Sequence, residues 1–154
     1  MTTILRKKWG FDSNIIVYAL DADSKYHKRT KELLVNLRRN REIPHITHQN
    51  ILEVEKVLTK VFELNKNIVI EKLSLLLDSF NFTFVSPHLT TIHRYHKFFS
   101  EKEGKKIFDL YLAATYIDNG INQMYTANEK DFAGIPNFKA VNPYKKIRKY
   151  FPLA

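Results

Sequence analysis

Short apolar segments alternate with longer helical patterns along this chain, and this alternation constrains the fold more than any other feature. The helical stretches repeat apolar residues every three or four positions, as Ile51, Val54 and Leu58 do. Strands that alternate with helices form a parallel sheet with helices on both faces. We therefore expect an α/β fold with a mainly parallel sheet. The predicted strands are Lys8–Asp12, Ile43–Thr47, Phe82–Val85, Asn122–Thr126 and Phe138–Val141.

Capping residues, prolines and glycines mark the ends of the helical stretches. No repeat or low-complexity linker divides the 154 residues, so we expect a single domain over residues 1–154. The predicted helices run from Asp23 or Ser24 to about Asn40, from Thr47 to Leu64, from Asn65 or Asn67 to near Ser79, from just after Pro87 to Phe99, and over Ile107–Asn119 before Gly120.

The composition excludes several classes of protein. The chain has no cysteine, which rules out disulfides, thiolate zinc sites and thiol nucleophiles, and which suits a reducing cytosol. No apolar run approaches the roughly 20 residues that span a bilayer. The first residues lack the long apolar region of a signal peptide. We therefore expect a cytoplasmic protein that makes no use of a membrane.

The net charge of +9, from 25 Lys and Arg against 16 Asp and Glu, favours a polyanionic partner. Cations that neutralise phosphates release condensed counterions, so clustered basic residues are typical of proteins that bind nucleic acid. The alternative is a solubilising surface on a lysine-rich protein. The residues expected to contact nucleic acid are Arg38, Arg39, Lys105, Lys106, Lys145 and Lys146.

Polar residues follow three of the predicted strands. Asp12, Thr47 and Thr126 stand at strand ends, and a parallel sheet places its site outside the carboxyl ends of its strands. The predicted geometry can therefore bring these three residues to one edge of the sheet. The alternative is local, because Asp12 serves equally as a helix cap and the segment Thr126–Asp131 as turn chemistry.

Two helices carry further acids. Asp109 shares a face with Ala113 and Tyr116, whereas Asp118 lies roughly 180° away and is excluded from the same site. The alternative for Asp109 is an ordinary first-turn acid that the helix dipole favours.

Glu53 and Glu55 flank the apolar stripe of the second helix on opposite sides. Periodicity does not choose between them. The alternative for both is a solvated helix edge, partnered by Lys56 or Lys60.

Four segments in this order resemble the PIN domain family, which includes the VapC-type toxins of toxin–antitoxin pairs. The resemblance covers nearly the whole chain and implies a three-layer α/β/α sandwich with a ribonuclease site that uses Mg²⁺ or Mn²⁺. The segments are FDSNII at 11–16, ITHQNILE at 46–53, DLYLAAT at 109–115 and YTANEKDF at 125–132, followed by Ile135-Pro136 and Val141-Asn142-Pro143.

The resemblance implies catalytic and metal-binding roles for Asp12, Glu53 (not Glu55) and Asp109. Asp12 and Asp109 would bind the main ion. Glu53 would orient the attacking water or hold a second ion. Crowded carboxylates repel one another, so we expect at least one of them to hold a proton until Mg²⁺ or Mn²⁺ binds.

The fourth acidic position departs from the most common family pattern. Many relatives have an aspartate where this chain has Asn128, whereas others have an acid where Asp131 stands. The fourth acid is therefore either Asp131 or missing. The family pattern also gives Thr126 a place in the metal's water shell, and Ser13 and Asn14 the role of orienting Asp12.

The sequence thus predicts a metal-dependent endoribonuclease acting on RNA. If it is a toxin, the resemblance implies an antitoxin that covers the groove and a homodimer. One alternative is an RNA-binding PIN-like module without catalysis, which the Asn128 departure favours. The other is a phosphatase of the haloacid dehalogenase type, with Asp21 as nucleophile and Asp23 as acid/base.

Two more features admit a role in binding. His93 and His96, three residues apart on a predicted helix, suit zinc or RNA stacking, but surface histidines without a ligand are the favoured interpretation. The segment Tyr144–Phe151 mixes cations with aromatics, so it suits either an RNA clamp or a helix docked on the core.

Overall fold

The computed structural model describes residues 5–145, through which a sheet of five parallel strands runs. The strands are β1 (Lys8–Phe11), β2 (Ile43–Thr47), β3 (Thr83–Val85), β4 (Gln123–Tyr125) and β5 (Lys139–Val141). They lie in the order β3-β2-β1-β4-β5, and each neighbouring pair is parallel. The predicted parallel α/β architecture is confirmed.

Six α-helices in residues 5–145 cover the two faces of the sheet. The helices are α1 (Ser13–Leu20), α2 (His27–Arg39), α3 (His48–Lys56), α4 (Lys66–Ser79), α5 (Thr91–Glu101) and α6 (Ile107–Asp118). One core joins α1 to α4 with Phe11 and Ile46, and a second joins α5 and α6 with Met124. This arrangement confirms the three-layer α/β/α sandwich. None of these helices is long and apolar enough to cross a bilayer.

Helix α6 approaches the sheet very closely at Gly10. A Cβ atom on Gly10 would lie 2.8 Å from the ring of Tyr116, so only glycine leaves room for this aromatic side chain. The Tyr116 hydroxyl accepts from the Phe11 N–H at 3.0 Å and donates to the Phe11 carbonyl at 2.7 Å. The Tyr116 side chain thus satisfies the backbone N–H and carbonyl of Phe11, the last residue of β1, directly before Asp12.

The predicted start of the helix that ends near Asn40, at Asp23 or Ser24, is wrong. Residues between α1 and α2 form turns, because the Asp21 carboxylate accepts from the Asp23 N–H and the Ser24 hydroxyl accepts from the Tyr26 N–H. Polar side chains that bond to the backbone two residues ahead favour turns over helix. Helix α2 therefore begins only at His27.

The helix predicted from Thr47 to Leu64 is capped as expected but does not stay regular. Thr47 and Asn50 form a capping box, yet the α-helix ends at Lys56. A π-helical turn, Val57–Val61, follows it. Of the two caps considered for the next helix, Asn65 is the one that accepts from the backbone of α4.

Candidate active site at the carboxyl edge of the sheet

A cleft of about 570 Å³ opens at the carboxyl edge of the sheet, within the size range of ligand sites. It collects Asp12 directly after β1 and residues from α1, α3, the π-helical turn, the start of α6 and the segment after β4. The four acids expected from the sequence line it together with three of the expected supporting residues. These seven residues are Asp12, Ser13, Asn14, Glu53, Asp109, Asn128 and Asp131.

Asp12 directly follows β1 and caps α1, and its backbone N–H donates to the Tyr125 carbonyl of β4, so its backbone is fixed. Its carboxylate accepts from the Ser13 N–H at 2.8 Å and from the Thr126 hydroxyl at 2.7 Å. Burial raises the pKa of Asp12, hydrogen bonds oppose that rise, and the negative charge of Glu53 adds to it. The Thr126 hydroxyl thus contacts the Asp12 carboxylate, and its expected place in the metal's water shell stays a prediction.

Glu53 is the glutamate of α3 that faces the cleft. Its Oε2 accepts a hydrogen bond from the Ser13 hydroxyl, and its Oε1 accepts from Gln49 Nε2 at 2.9 Å. Glu55 does not line the cleft and instead lies beside α4, on another surface. Of the two glutamates between which periodicity did not choose, Glu53 is therefore the one that lines the cleft.

A buried asparagine, Asn50, ties this side of the cleft together. Its Nδ2 donates to the Ser13 hydroxyl at 3.1 Å, and its Oδ1 accepts from the Thr47 hydroxyl at 2.8 Å and lies 3.1 Å from the Tyr116 hydroxyl. Sequence reasoning missed Asn50. The signal was present, because an asparagine three residues after a threonine cap is a variant of the capping box.

Asp109 lies in the first turn of α6, and its carboxylate receives no hydrogen bond from any residue between 5 and 145. Burial raises the pKa of Asp109 to about 6, and the negative charges of Asp12 and Asp131 add to the rise. The ammonium of Lys106 opposes it. Asp109 therefore carries unrelieved repulsion. Asp118, on the other side of the helix, pairs with Arg94 and is excluded from the cleft as expected.

Asp131 supplies the fourth carboxylate that lines the cleft. A short 3₁₀ helix, Glu129–Phe132, carries it there, and its Oδ2 lies 3.3 Å from Lys106 Nζ. Asn128 also lines the cleft, and its backbone N–H donates to the Thr126 hydroxyl at 3.0 Å. An aspartate three residues after Asn128 thus lines the cleft together with Asn128.

Asn14 fastens the segment after β4 to the first helix. Its Oδ1 accepts from the Ala127 N–H at 3.3 Å, and its Nδ2 lies 3.4 Å from the Asp12 carboxylate. The contact with Asp12 agrees with the orienting role expected of Asn14.

The donors in this cleft suit a hard divalent cation. They are carboxylate and hydroxyl oxygens, which Mg²⁺ and Mn²⁺ prefer. Burial, reinforced by neighbouring carboxylates, raises the pKa of Asp12 and of Asp109, so ionising both carboxyls without a cation is unfavourable. Within residues 5–145, no three acidic or histidine side chains lie close enough to chelate an ion in this conformation. Glu53 is turned towards Ser13 and Asp131 towards Lys106, so these two carboxylates must reorient for chelation.

The expected nucleic-acid contacts divide into two groups. Lys106 lines the cleft, Lys105 donates to the Lys130 carbonyl near it, and Lys145 forms an ion pair with Glu129. Lys146, with the rest of the segment up to Phe151, lies outside the described residues.

Arg38 and Arg39 belong to the last turn of α2, which leads into the amino end of β2. The cleft lies at the carboxyl end of that strand. The structure therefore does not bring these two arginines to the acids.

The phosphatase alternative is not supported. Its motif requires a strand to lead into Asp21, but residues 13–20 form α1, and Asp21 follows the end of that helix. His93 and His96 are both exposed on α5 and do not line the cleft.

A family model described as the PIN domain matches residues 11–137. No curated protein matches the chain. Solved structures of VapC-type toxins share its fold, and three of them illustrate the likeness. VapBC2 of Rickettsia felis, bound to a DNA fragment from its promoter, has a TM-score of 0.71 and 22% identity over 88% of this chain and 98% of that chain. DNA-bound VapBC of Salmonella typhimurium has a TM-score of 0.68 and 13% identity over 90% of this chain and 99% of that chain. VapC20 of Mycobacterium tuberculosis, described as a sarcin–ricin loop cleaving toxin, has a TM-score of 0.63 and 10% identity over 84% of this chain and 98% of that chain. Since the family model covers most of its length, the chain belongs to the PIN domain family.

Proposed function

We propose that this protein is a Mg²⁺- or Mn²⁺-dependent endoribonuclease that hydrolyses phosphodiester bonds in RNA. One observation carries the proposal: four carboxylates line one cleft, where burial and mutual repulsion raise the pKa of Asp109 to about 6. Such an arrangement destabilises the free protein, so a cation that relieves it is the expected partner.

Asp12 and Asp109 would hold the main ion, with Glu53 and Asp131 completing its surroundings or holding a second. When bound, the ion supplies Lewis acidity that activates water and stabilises charge developing on the phosphate. Ser13 and Thr126 keep the Glu53 and Asp12 carboxylates oriented through their hydroxyls. Lys106 is freed to meet phosphate once Asp131 turns away from it.

RNA is the proposed substrate because cations surround the carboxylates. Lys56, Lys60 and Lys106 all line the cleft, where they suit the phosphates on either side of a scissile bond. The solved relative described as a sarcin–ricin loop cleaving toxin supports cleavage as the reaction.

We also propose an antitoxin as a protein partner, since several solved relatives are VapBC or toxin–antitoxin complexes. The expected homodimer and the expected single domain over residues 1–154 stay predictions. Size-exclusion chromatography with light scattering tests the dimer, and limited proteolysis tests the domain.

Cleavage of an end-labelled single-stranded RNA tests the enzyme directly. We expect products with Mg²⁺ or Mn²⁺, none with EDTA, and none from Asp12→Asn or Asp109→Asn. Each helix offers a matched control: Asp118→Asn for Asp109→Asn, and Glu55→Gln for Glu53→Gln. A wild-type protein that cleaves no RNA with either metal would refute the proposal.

A second candidate is an RNA-binding module without catalysis. Asn128 at the position where many relatives have an aspartate, together with the Asp131–Lys106 ion pair, favours it. RNA binding that no metal converts into cleavage would establish this alternative.

A further inference from the structure

One wall of the cleft contains neither acids nor hydroxyls. It is formed by Lys56 at the end of α3, by Val57, Lys60 and Val61 of the π-helical turn, and by Phe62 directly after it. We call these five residues the π-turn wall. Hydrolysis at the carboxylates does not require an aromatic side chain, so this wall has another use.

The π-helical turn explains why Phe62 belongs to this wall. Nine residues after Glu53, Phe62 would lie roughly 180° away from it on a regular α-helix. The Phe62 N–H instead bonds the Val57 carbonyl at 3.2 Å, which widens the turn by one residue. Phe62 therefore lines the same cleft as Glu53. Such π-turns occur frequently at functional sites.

Val57 of this wall packs against the core, but folding does not account for Val61 and Phe62. Val61 is 68% exposed and Phe62 is 43% exposed, so both leave much apolar surface in water. Exposed apolar groups that adjoin a polar site mark a surface that contacts a ligand or a partner.

The charge of the wall indicates which ligand. Lys56 and Lys60 lie one helical turn apart and flank the apolar groups, and both face the cleft. Two cations around an aromatic face match a nucleotide, whose phosphate takes the lysines and whose base takes the ring. An apolar protein segment would leave the two lysines without a counterpart.

We propose that the π-turn wall is a subsite for one unpaired nucleotide of the RNA, next to the bond that is cleaved. The base stacks on Phe62 while Lys56 and Lys60 hold its phosphates. This inference rests on the proposed ribonuclease function. It makes single-stranded RNA the substrate, because bases within a duplex are stacked on one another and do not expose a face.

The test measures binding in EDTA, which stops metal-dependent cleavage. The probes are a labelled oligoadenylate of eight nucleotides, a ribose-phosphate chain of equal length without bases, and an RNA duplex. We expect wild-type protein to bind the oligoadenylate about tenfold more tightly than the abasic chain. Phe62→Ala should bind both equally.

Two further variants separate stacking from apolar packing. Phe62→Trp keeps an aromatic face and should preserve the preference, whereas Phe62→Leu keeps apolar volume and should lose it. Phe99→Ala is the matched control, since Phe99 is 54% exposed on α5 and does not line the cleft. Thermal unfolding of each variant checks that the fold is intact.

Three results would overturn this inference: no preference for bases in the wild-type protein, the same preference in Phe62→Ala, or tighter binding of duplex. Unchanged RNA binding with loss of self-association in Phe62→Ala would assign the wall to a second copy of the chain. Cleavage with Mg²⁺ keeps the two proposals apart. A protein that discriminates bases but never cleaves refutes only the enzyme, and one that cleaves without discriminating refutes only the subsite.

Discussion

The two sides of the cleft differ in how their carboxylates are held. On the tethered side, Asp12 and Glu53 accept hydrogen bonds from Ser13, Thr126 and Gln49. On the untethered side, Asp109 receives none from residues 5–145, and Asp131 meets only the ammonium of Lys106.

The difference teaches which part of a site a fold can prepare in advance. The tethered side is fixed because Ser13 and Thr126 are buried, and the Ser13 hydroxyl also accepts a hydrogen bond from the buried Asn50, which contacts the Tyr116 hydroxyl. On the untethered side two carboxylates face one ammonium, that of Lys106, so residues 5–145 neutralise the negative charge only in part. We therefore interpret the first side as the scaffold and the second as the side whose charge a cation completes.

The largest expected effect comes from removing that charge. Asp109→Asn should lower RNA cleavage about 1,000-fold, because the loss of several kcal/mol of metal-borne stabilisation multiplies the barrier accordingly. Initial cleavage rates at saturating Mg²⁺ measure the effect. Cleavage within tenfold of the wild-type rate would place the catalytic charge on the tethered side alone.

The next effect tests the scaffold. Tyr116→Phe removes the hydroxyl that serves the Phe11 backbone and contacts Asn50, so we expect a loss of about 1–3 kcal/mol in the free energy of unfolding. Metal affinity should fall about 10- to 100-fold, as for groups that support metal ligands. Urea denaturation and calorimetry measure the two quantities. Tyr111→Phe, on the same helix, should change neither the free energy of unfolding nor the metal affinity. Equal values for the two variants would contradict the supporting role of the Tyr116 hydroxyl.

A smaller effect appears in the pH dependence of stability without metal. The pKa of Asp109 rises from 3.8 to about 6 on folding, so the folded protein holds this proton more tightly than the unfolded chain. Stability contributed by the protonated group is therefore full below pH 4 and is lost as the pH rises towards 6. We expect about 1 kcal/mol, less than the full shift implies because solvent screens this half-buried carboxylate.

Urea denaturation in EDTA at several pH values measures this slope. Asp109→Asn should flatten it and become more stable than wild type above pH 6. A slope that Asp109→Asn leaves intact would show that another group carries the repulsion.

The smallest effect concerns the basic residues. Lys60→Ala should reduce the slope of log affinity against log salt by about 0.7, the value for one phosphate contact on a single strand. Arg38→Ala should leave the slope unchanged, since that residue lies at the opposite edge of the sheet. Equal slopes in the two variants would mean that RNA binding is spread over the whole basic surface.

Much of the fold followed from local patterns. Alternating segments predicted the five strands to within one residue at each end, because apolar runs bounded by polar residues mark buried strands well. The start of α2 did not follow, because Asp21 and Ser24 bond the backbone as turn formers instead of capping a helix.

The site divides in the same way. Asp12 and Thr126 could be predicted as site residues because they follow predicted strands. The position of Asp131 at the cleft depends on a 3₁₀ helix, which no sequence pattern predicts. The position of Phe62 at the cleft could not be predicted from periodicity, because the extra residue of a π-helical turn leaves no trace in the apolar pattern. The position of Arg38 and Arg39 away from the cleft was predictable in principle, since a helix that leads into a strand ends at the amino edge of the sheet.

Calorimetric titration with Mn²⁺ at pH 6, in buffers of different ionisation enthalpy, tests the central claim most directly. We predict binding that releases about half a proton per ion, because Asp109 titrates near this pH and must lose its proton to bind. Proton release should vanish at pH 8 and in Asp109→Asn. Failure of the wild-type protein to bind Mn²⁺, or unchanged proton release in Asp109→Asn, would contradict the claim that a cation completes the untethered side.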